Sequence, residues 1–272
     1  MKTPRILVIA GSDSSGGAGI QADIKTITML GGHAMTAITA ITAQNTLGVQ
    51  TVEVLLPEIV VAQAKSCIED IGVDAVKIGM LGSPAIAAAV ADLLEDIEAP
   101  IVFDPVMVAT TGSVLADAET IAGFERLMKL AVLTTPNLPE LKAMGGRDAV
   151  LQHTENLLIK GGHAEGEEIE DLLVVPGGEY SFWSKRIDTM HTHGTGCSLA
   201  SGIATGIGAG LTLDNATERA IAFVGKALAA APELGSGHGP LGHSLQRVPF
   251  YDYLAATDSK GFDAAAFAAK WA

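Results

Sequence analysis

Short apolar runs alternate along this chain with longer segments that have the periodicity of a helix. Residues 6–10 are all apolar, mostly β-branched, and end at Gly11, which is typical of a strand buried on both faces. Between residues 18 and 30, isoleucine and leucine recur at helical spacing, and Gly31 and Gly32 follow where a helix would end in left-handed residues. The chain is therefore predicted to begin with a strand, a glycine-rich loop and a helix.

The same alternation continues through the middle of the chain. The pattern predicts strands at 34–43, 49–55, 75–80, 101–104, 132–135 and 157–160, and helices at 57–71, 84–97, 119–130 and 138–144. Residues 172–175 and 180–187 are predicted to pair antiparallel across a proline–glycine turn, and 196–231 to form two long helices separated at 210–215. Strands that alternate with helices build a mainly parallel sheet covered on both faces, so we predict an α/β fold.

Nothing in the sequence marks a boundary between domains. The chain has neither an internal repeat nor a low-complexity linker, and 272 residues suit one α/β domain spanning residues 1–272. The tail from about Ser244 differs, because it holds half of the twelve aromatic residues of the chain: Phe250, Tyr251, Tyr253, Phe262, Phe267 and Trp271. Exposed aromatics at this density promote aggregation, so we expect the tail to dock on the body of the protein or on a partner subunit.

The composition argues against several classes of partner. Hydrophobic residues make up 48% and charged residues 18% of the chain, which supplies enough apolar side chain for a core. A net charge of −14 without a Lys/Arg cluster argues against nucleic acid, and no apolar stretch approaches the ~20 residues of a membrane helix. Cys67 and Cys197 lie far apart and outside any CxxC pair, which suits a reducing compartment. We therefore expect a cytoplasmic protein.

In a parallel sheet the ligand site lies beyond the carboxyl ends of the strands, so the loops there are the candidates for chemistry. The first loop, 11–19, is rich in glycine and serine, and its small side chains let backbone N–H groups approach an anion or a small molecule. It lacks the Lys and Ser/Thr of a P-loop and the glycine spacing of a dinucleotide fold. A tight strand-to-helix turn is the alternative.

Later loops carry charged or oxygen-bearing side chains. Asp104 ends a strand beside a proline, and Asn137 and Glu140 lie three residues apart at the start of a helix, a spacing that suits hydrated Mg²⁺. The alternative for Asn137 is the N-cap of that helix. Lys160, followed by two glycines, puts a cation at a strand end, where it either meets a phosphate or is solvated.

The loop at 193–197 leads directly into a long helix. Glycines at 194 and 196 leave the N–H groups of the first turn uncovered, and with the helix dipole they would form an anion hole for a transferring phosphoryl group. The dipole is expected to lower the thiol pKa of Cys197 from about 8.5, which would make it a proton acceptor near neutral pH. The alternatives are a small buried residue, a zinc site with His191 and His193, and a Cys–His nucleophilic pair.

These loops and their neighbours carry a recognisable set of motifs. The motifs are Gly11-Ser12-Asp13 with residues 16–23, Gln44-Asn45-Thr46, Lys77-Ile78-Gly79-Met80-Leu81, Asp104-Pro105-Val106-Met107, Pro136-Asn137-Leu138-Pro139-Glu140, Lys160-Gly161-Gly162-His163 and Thr192-His193-Gly194-Thr195-Gly196-Cys197. In this order, over roughly residues 5–240, the sequence resembles the hydroxymethylpyrimidine/phosphomethylpyrimidine kinases of thiamine biosynthesis. The resemblance implies the ribokinase-like fold of that family, a three-layer α/β/α sandwich with a mainly parallel central sheet.

The same resemblance implies an activity and a role for each motif. The protein is expected to transfer the γ-phosphoryl group of ATP to 4-amino-5-hydroxymethyl-2-methylpyrimidine and then a second one to the monophosphate. Gln44 is expected to bind the aminopyrimidine edge, and the rest of that pocket to come from Gly11, Ala18, Asp23, Met80, Val106 and Met107. The implied base is Cys197, with an anion hole of Gly194, Thr195 and Gly196, ATP contacts from Lys160, Asn137 and Thr192, and Mg²⁺ held through water by Asp104, Asn137 and Glu140.

Departures and alternatives accompany this resemblance. Only ten residues separate Gly146 from Leu157, where the family has a full helix, so this crossover is expected to be abbreviated, and the aromatic tail extends past the usual family end. One alternative is a pyridoxal or pyridoxine kinase, which shares the fold, the phosphoryl donor ATP and a hydroxymethyl group as acceptor. The other is a protein that binds the pyrimidine without catalysing a reaction. Family members are generally dimeric, so a homodimer is expected, with 34–43 and 49–55 in its interface.

Overall fold

The computed structural model describes residues 2–107, 115, 116, 118–257, 263, 266 and 269. A single β-sheet runs through this part of the chain. Its nine strands are β1 (Arg5–Asp13), β2 (His33–Asn45), β3 (Gly48–Val54), β4 (Ala75–Ile78), β5 (Ile101–Phe103), β6 (Leu133–Thr134), β7 (Leu157–Ile159), β8 (Glu168–Val175) and β9 (Gly178–Lys185).

Helices connect most of these strands. In the described residues they are α1 (Gly19–Met29), α2 (Pro57–Asp70), α3 (Pro84–Leu94), α4 (Ala118–Ala122), α5 (Phe124–Leu130), α6 (Leu138–Ala143), α7 (Arg147–Val150), α8 (Thr195–Gly208), α9 (Leu213–Ala229) and α10 (Pro249–Thr257). A 3₁₀ turn, Gly161–His163, follows β7. Within these ranges, none of the helices combines the length and the apolar character needed to cross a membrane.

The strands are arranged in the order β3-β2-β1-β4-β5-β6-β7-β8-β9. All neighbours from β2 to β7 run parallel, and β3, β8 and β9 add antiparallel strands at the two edges. The predicted order of strands and helices is confirmed, and so is the antiparallel pair after the last parallel strand. Because the parallel strands share one direction, their carboxyl ends meet along one edge of the sheet.

β1 lies in the middle of the sheet because its side chains are apolar on both faces. Leu7 and Ile9 belong to one core, shared with α2 and α3, while Ile6, Val8 and Ala10 belong to the other, shared with α1, α8 and α9. All five are at most 1% exposed. The sheet therefore separates two hydrophobic cores, each closed by helices, and the predicted three-layer α/β/α sandwich is confirmed.

Small residues let α8 approach its neighbours closely. A Cβ added at Gly202 would lie 2.9 Å from the Cβ of Ala220, and one at Gly206 would lie 2.8 Å from that of Ala216, both on α9. Contacts this short leave no room for a larger side chain on that face of α8. The pair α8–α9 thus forms a tight unit over the sheet, which fixes the position of the first turn of α8.

The element bounds differ from the predictions at a few places. β1 continues through Gly11 to Asp13, past a bulge between Ala10 and Ser12, so the glycine-rich loop begins later than expected. The helix predicted at 119–130 is divided, and Gly123 separates α4 from α5. The crossover before β7 contains the four-residue helix α7, so its expected abbreviation is confirmed.

Two aromatic side chains of the tail are exposed on α10. Phe250 is 58% exposed and Tyr253 is 63% exposed, while Tyr251, which contacts the ring of Phe250, is half-buried. Phe250 and Tyr253 therefore do not dock on the body, and their docking on a partner subunit stays a prediction. The predicted docking of Phe262, Phe267 and Trp271 concerns positions outside the described residues.

Candidate active site

The first turn of α8 lies where the carboxyl ends of the central strands meet. Gly194 caps this helix in the left-handed region, at φ +87°, and a Cβ there would overlap the carbonyl oxygen of Gly17 and lie 3.2 Å from the Cα of Ala18. Only glycine fits this contact, which combines a positive φ with close backbone approach. The amino ends of α1 and α8 are thereby brought together, and so are the two glycine-rich loops singled out in the sequence. Thr195 begins the helix, and its hydroxyl donates to the carbonyl of Thr192 at 2.6 Å.

Charged side chains flank the other side of this turn. A Cβ at Gly196 would lie 3.3 Å from Lys160 Nζ and 3.7 Å from Asp104 Oδ2. Lys160 Nζ is also 2.6 Å from Asp104 Oδ1 and 3.7 Å from Glu140 Oε2. The end of β5, the start of α6, the end of β7 and the start of α8 therefore converge on one point, as the motifs predict.

Lys160 is held charged by its acidic neighbours. Burial opposes the charge most strongly, but Asp104 and Glu140 outweigh it and raise the pKa of Lys160. Its backbone N–H donates to the carbonyl of Pro136 at 2.9 Å, which ties the two loops together. The result is an ammonium group that pairs with Asp104 beside the first turn of α8, and its contact with a ligand phosphate stays a prediction.

Asn137 and Glu140 form a capping box at the start of α6. The Oδ1 atom of Asn137 accepts from the N–H of Glu140 at 2.9 Å, and Glu140 Oε2 accepts from the N–H of Asn137 at 2.8 Å. The helix-cap alternative considered for Asn137 is therefore realised by its side-chain oxygen. A contact from Asn137 to ATP or Mg²⁺ stays a prediction.

A magnesium ion fits this region only in a hydrated form. Among the residues described, no three His, Cys, Asp or Glu side chains gather closely enough to hold a metal, which also leaves His191 and His193 without a third zinc ligand. Asp104 and Glu140 lie beside one another, but each carboxylate already engages Lys160 or the α6 cap. Mg²⁺ keeps several waters and binds readily through phosphates plus one or two carboxylates, so outer-sphere contact to Asp104 and Glu140 is the arrangement that fits.

Cys197 lies in the first turn of α8, half-buried among charged groups. Burial is the largest influence and raises the pKa of its thiol to about 11, with Asp23 and Asp104 acting in the same direction. Lys77 and a hydrogen bond from the N–H of Gly19 lower the thiol pKa without reversing the shift. The expectation of a pKa below about 8.5 is therefore wrong, because lost hydration outweighs the helix dipole.

Lys77 and Asp23 form a buried ion pair beneath Cys197. Lys77 Nζ is 3.0 Å from both carboxylate oxygens of Asp23, both side chains are 0% exposed, and Ser201 Oγ donates to Asp23 Oδ1 at 2.7 Å. Although burial opposes its charge, the neighbouring Asp23, Cys197 and Asp104 raise the pKa of Lys77 to about 12. The assignment of Asp23 as a residue that lines the substrate pocket is wrong, since its oxygens face inward to Lys77 and Ser201.

Gln44 lies at the end of β2, next to the residue that precedes the anion hole. Its Nε2 atom is 3.2 Å from His193 Nε2, which in turn is 2.8 Å from Asp13 Oδ2. Asp13 also accepts from the N–H groups of Gly17 and Ala18. Burial opposes ionisation of Asp13 most strongly, yet the hydrogen bonds from His193, Ser15 and Ala18 hold its pKa below the usual value. His193 engages Asp13 and Gln44 here, and the Cys–His nucleophilic pair finds no support.

The remaining predicted pocket residues separate into two groups. Gly11 and Met80 lie together, because a Cβ at Gly11 would overlap the terminal methyl of Met80. Val106 is half-buried two residues after Asp104, and its contact with a ligand stays a prediction. Met107 is 3% exposed and packs in the core on the α2–α3 side of the sheet, so its assignment to the pocket is wrong. Its carbonyl oxygen instead accepts from the N–H groups of Leu115 and Ala116.

A cleft of about 900 Å³ opens next to Thr192. Its walls are the turn 166–168, the segment 185–189 and Thr192 itself. The guanidinium of Arg186 in that segment donates to the carbonyls of Gly162, Ala164 and Gly166, which fixes the loop that follows Lys160. The cleft is large enough for a nucleoside and lies against the loop that leads into α8.

A further hydrogen bond anchors the segment after α9 to this helix. Ser198 Oγ, one residue beyond the thiol, is 2.9 Å from His243 Nε2, and both side chains are buried. Burial lowers the pKa of His243 to about 4. The imidazole is therefore neutral at physiological pH and serves packing and hydrogen bonding in this position.

Sequence reasoning missed three residues that build the site. Lys77 had a detectable signal, since a lysine inside an otherwise apolar strand needs a buried acidic partner. Asp13 was hidden in a serine-rich loop, although a carboxylate followed by several glycine N–H groups indicates a turn that closes on the side chain. His193 was considered only with a metal or a thiol, and its partner Asp13 comes from the other end of the chain.

Known proteins share both the sequence and the fold of this chain. The family model described as phosphomethylpyrimidine kinase matches residues 13–242. A hydroxymethylpyrimidine/phosphomethylpyrimidine kinase of Streptomyces coelicolor is 43% identical over 254 residues, which cover 88% of this chain and 94% of the relative.

Solved structures give the same result for the architecture. A phosphomethylpyrimidine kinase from Clostridium difficile superposes with a TM-score of 0.71 at 36% identity, covering 83% of this chain and 99% of that one. An ADP complex of Bacillus subtilis pyridoxal kinase superposes with a TM-score of 0.81 at 31% identity, covering 91% of this chain and 100% of that one. The ribokinase-like fold expected from the motifs is confirmed. Because the family model covers residues 13–242 and the Streptomyces coelicolor relative is 43% identical over most of both chains, this chain belongs to the phosphomethylpyrimidine kinase family.

Proposed function

We propose that this protein transfers the γ-phosphoryl group of ATP to the hydroxymethyl oxygen of 4-amino-5-hydroxymethyl-2-methylpyrimidine, and then phosphorylates the monophosphate. The observation that carries the proposal is the convergence at α8. Gly194 and Gly196 uncover its first turn, Lys160 and Asp104 flank the turn, and Gln44 lies across from it beside His193. Phosphoryl transfer needs mainly such positioning and neutralisation of charge.

Different residues bind ATP and the pyrimidine in this proposal. The N–H groups at 194–196 and Lys160 hold the transferring phosphoryl group, and the cleft beside Thr192 holds the nucleoside of ATP. Gln44, with one amide donor and one acceptor available to a ligand, contacts the aminopyrimidine edge, while Gly11, Ala18, Met80 and Val106 line the ring. Asp104 and Glu140 would hold the hydration shell of a magnesium ion that accompanies ATP, and this ion would supply charge neutralisation on the phosphates.

Cys197 accepts the proton of the hydroxymethyl group. With a thiol pKa of about 11 the thiolate is a strong base that few molecules carry, because most have the protonated thiol at neutral pH. A loose transition state tolerates this, since the alcohol loses its proton late. Lys77, directly beneath the thiol, stabilises the thiolate that does form.

A pyridoxal kinase is the second candidate, because the pyridoxal kinase superposition has the higher TM-score. Release of ADP, followed with the pyrimidine, its monophosphate and pyridoxal as acceptors, separates the two functions. Higher kcat/KM for the pyrimidine supports the main proposal, and higher kcat/KM for pyridoxal overturns it. Absence of ADP release with all three acceptors would indicate a binding protein.

The protein is also proposed to form a homodimer in the cytoplasm. Strands β2 and β3 and the turn between them leave apolar side chains uncovered at the sheet edge: Ile41 is 49%, Leu47 68%, Val52 39% and Val54 37% exposed. A second copy that covers this surface would remove the apolar patch from water. Light scattering after gel filtration measures the mass directly, and V52E is expected to shift a dimer of the 27.9 kDa chain to the monomer. A wild-type monomer would contradict the proposal.

A further inference from the structure

The hydrogen bonds around the Gln44 amide conflict when its nitrogen faces His193 and its oxygen faces Thr42. Asp13 is an ionised carboxylate that only accepts, so His193 Nε2, 2.8 Å from Asp13 Oδ2, must carry a hydrogen. Gln44 Nε2, also a donor, faces that same nitrogen at 3.2 Å. The hydrogen on His193 Nε2 is directed at Asp13, so this nitrogen has no lone pair left to accept from the Gln44 NH₂ group that faces it.

A second conflict lies on the other side of the same amide. Thr42 Oγ1 is 3.0 Å from the carbonyl oxygen of Ser12 and 3.1 Å from Gln44 Oε1, and both of these atoms are acceptors. A hydroxyl has one hydrogen, so it cannot satisfy both acceptors fully. Thr42 is 5% exposed and Asp13 3% exposed, so water does little to relieve either conflict.

A half-turn of the carboxamide relieves both conflicts. Its oxygen then faces His193 Nε2–H and shares that hydrogen with Asp13 in a three-centre hydrogen bond, which replaces the contact between two donors. Its nitrogen donates to Thr42 Oγ1, which remains free to donate to Ser12. Because the oxygen and nitrogen of an amide have nearly the same shape, the half-turn needs no movement of neighbouring atoms. The backbone of Gln44 stays in place, since Ser14 Oγ both accepts from its N–H at 2.9 Å and donates to its carbonyl at 2.8 Å.

We propose that Asp13, His193 and Thr42 are positioning residues that hold the Gln44 amide with its oxygen on His193 and its nitrogen on Thr42. Asp13 fixes the hydrogen on His193, and His193 and Thr42 each occupy one half of the amide. One N–H and one oxygen lone pair remain for a ligand, with the acceptor on the His193 side and the donor on the Thr42 side.

This order of donor and acceptor is a specificity determinant, a consequence that rests on the proposed function. A 4-aminopyrimidine meets it with its exocyclic amine toward the oxygen and its ring nitrogen toward the amide nitrogen. A reversed amide would require the ring to turn over. A pyridine that carries an ionised phenolate oxygen in place of the amine offers only an acceptor to the Gln44 oxygen, so the fixed amide discriminates against it.

Nuclear Overhauser effects on the unliganded full-length protein test the orientation without reference to catalysis. In protein labelled with ¹⁵N and with ¹³C at threonine methyls, the Gln44 side-chain NH₂ signals are identified by their loss in Q44E. We expect a contact from this NH₂ to the Thr42 methyl. A contact to the ring hydrogens of His193 instead overturns the proposal, and so does an amide with neither contact, because such an amide is not held by these residues.

Steady-state kinetics then test the consequence. T42V leaves the amide nitrogen without its acceptor, and we expect the KM for the pyrimidine to rise about tenfold, with kcat and the KM for ATP little changed. T42S keeps the hydroxyl and is expected to restore the KM. An unchanged KM in a T42V protein that melts like the wild type overturns the positioning role. If the wild type phosphorylates no pyrimidine, the proposed function fails, whereas the amide orientation is still decided by the Overhauser contacts.

Discussion

The raised thiol pKa of Cys197 leads to a specific prediction about the pH dependence of phosphoryl transfer. With a pKa of about 11, roughly 1 molecule in 3,000 carries the thiolate at pH 7.5. If that thiolate takes the proton of the hydroxymethyl group, the rate of transfer rises about tenfold per pH unit over the range below the pKa. We therefore expect an increase of roughly a hundredfold between pH 7.5 and 9.5.

The assay is a single-turnover measurement of phosphoryl transfer from ATP to the pyrimidine, so that product release does not mask the chemical step. C197S is the matched variant, because its hydroxyl does not ionise in this range while its volume changes little. We expect C197S to be slower than the wild type by about a hundredfold at pH 7.5 and to lack the rise with pH. Circular dichroism at each pH shows whether the fold is intact.

Two outcomes would refute this reasoning. A rate that levels off above pH 8 in the wild type would mean that the thiol ionises near neutrality, and that the helix dipole and Lys77 outweigh its burial after all. A wild-type rate that is independent of pH and equal to that of C197S would remove Cys197 from proton transfer.

Further predictions concern the framework of the site. Gly194→Ala is expected to abolish activity, because its Cβ would overlap a backbone carbonyl at φ +87°, whereas Gly210→Ala, at φ +89° with open space around it, should cost about 1 kcal/mol of stability and keep the activity. Asp23→Asn leaves the Lys77 ammonium buried without a carboxylate and should lower the free energy of unfolding by about 3–5 kcal/mol, whereas Asp23→Leu combined with Lys77→Met should recover most of that loss. Urea denaturation measures the stability of both variants. An equal loss of stability in the single and the double variant would contradict the ion-pair account. The pKa of His243 is about 4 in the folded protein and 6.5 in the unfolded chain, so the unfolded chain binds a proton first as the pH falls. The free energy of unfolding should therefore be constant above pH 6.5 and decline by about 3 kcal/mol toward pH 4. His243→Gln should flatten that decline, as measured by urea titrations at several pH values.

The fold was largely predictable because its signals are local. Runs such as residues 6–10 and 101–103 are apolar on both faces, and in a parallel sheet that pattern marks a central strand. The less accurate boundaries depend on features without a local pattern. The division of one helix at Gly123 and the extension of β1 to Asp13 follow from how neighbouring elements pack, which periodicity does not encode.

The candidate site was predictable as a set of loops but not as a set of contacts. Strand ends and glycines located Gly194, Gly196, Lys160 and Asp104, and the structure brings all four together. The sign of the Cys197 pKa shift was wrong, since a sequence reveals the helix that follows a thiol but not the water that the thiol loses.

The roles of Asp23 and Met107 were also wrong, because whether a side chain faces the pocket or the core depends on elements far away in sequence.

The order of the elements along the chain has a consequence for synthesis. Every strand of the sheet precedes α8, so a chain emerging from the ribosome presents the whole sheet before α8 and α9 arrive to cover one of its faces. During that interval the apolar side chains of that face are covered only by α1 and are otherwise exposed to water and to chaperones. The contact between Gly17 and Gly194 also forms late, so a chain interrupted between residues 186 and 193 contains all nine strands but lacks the start of α8.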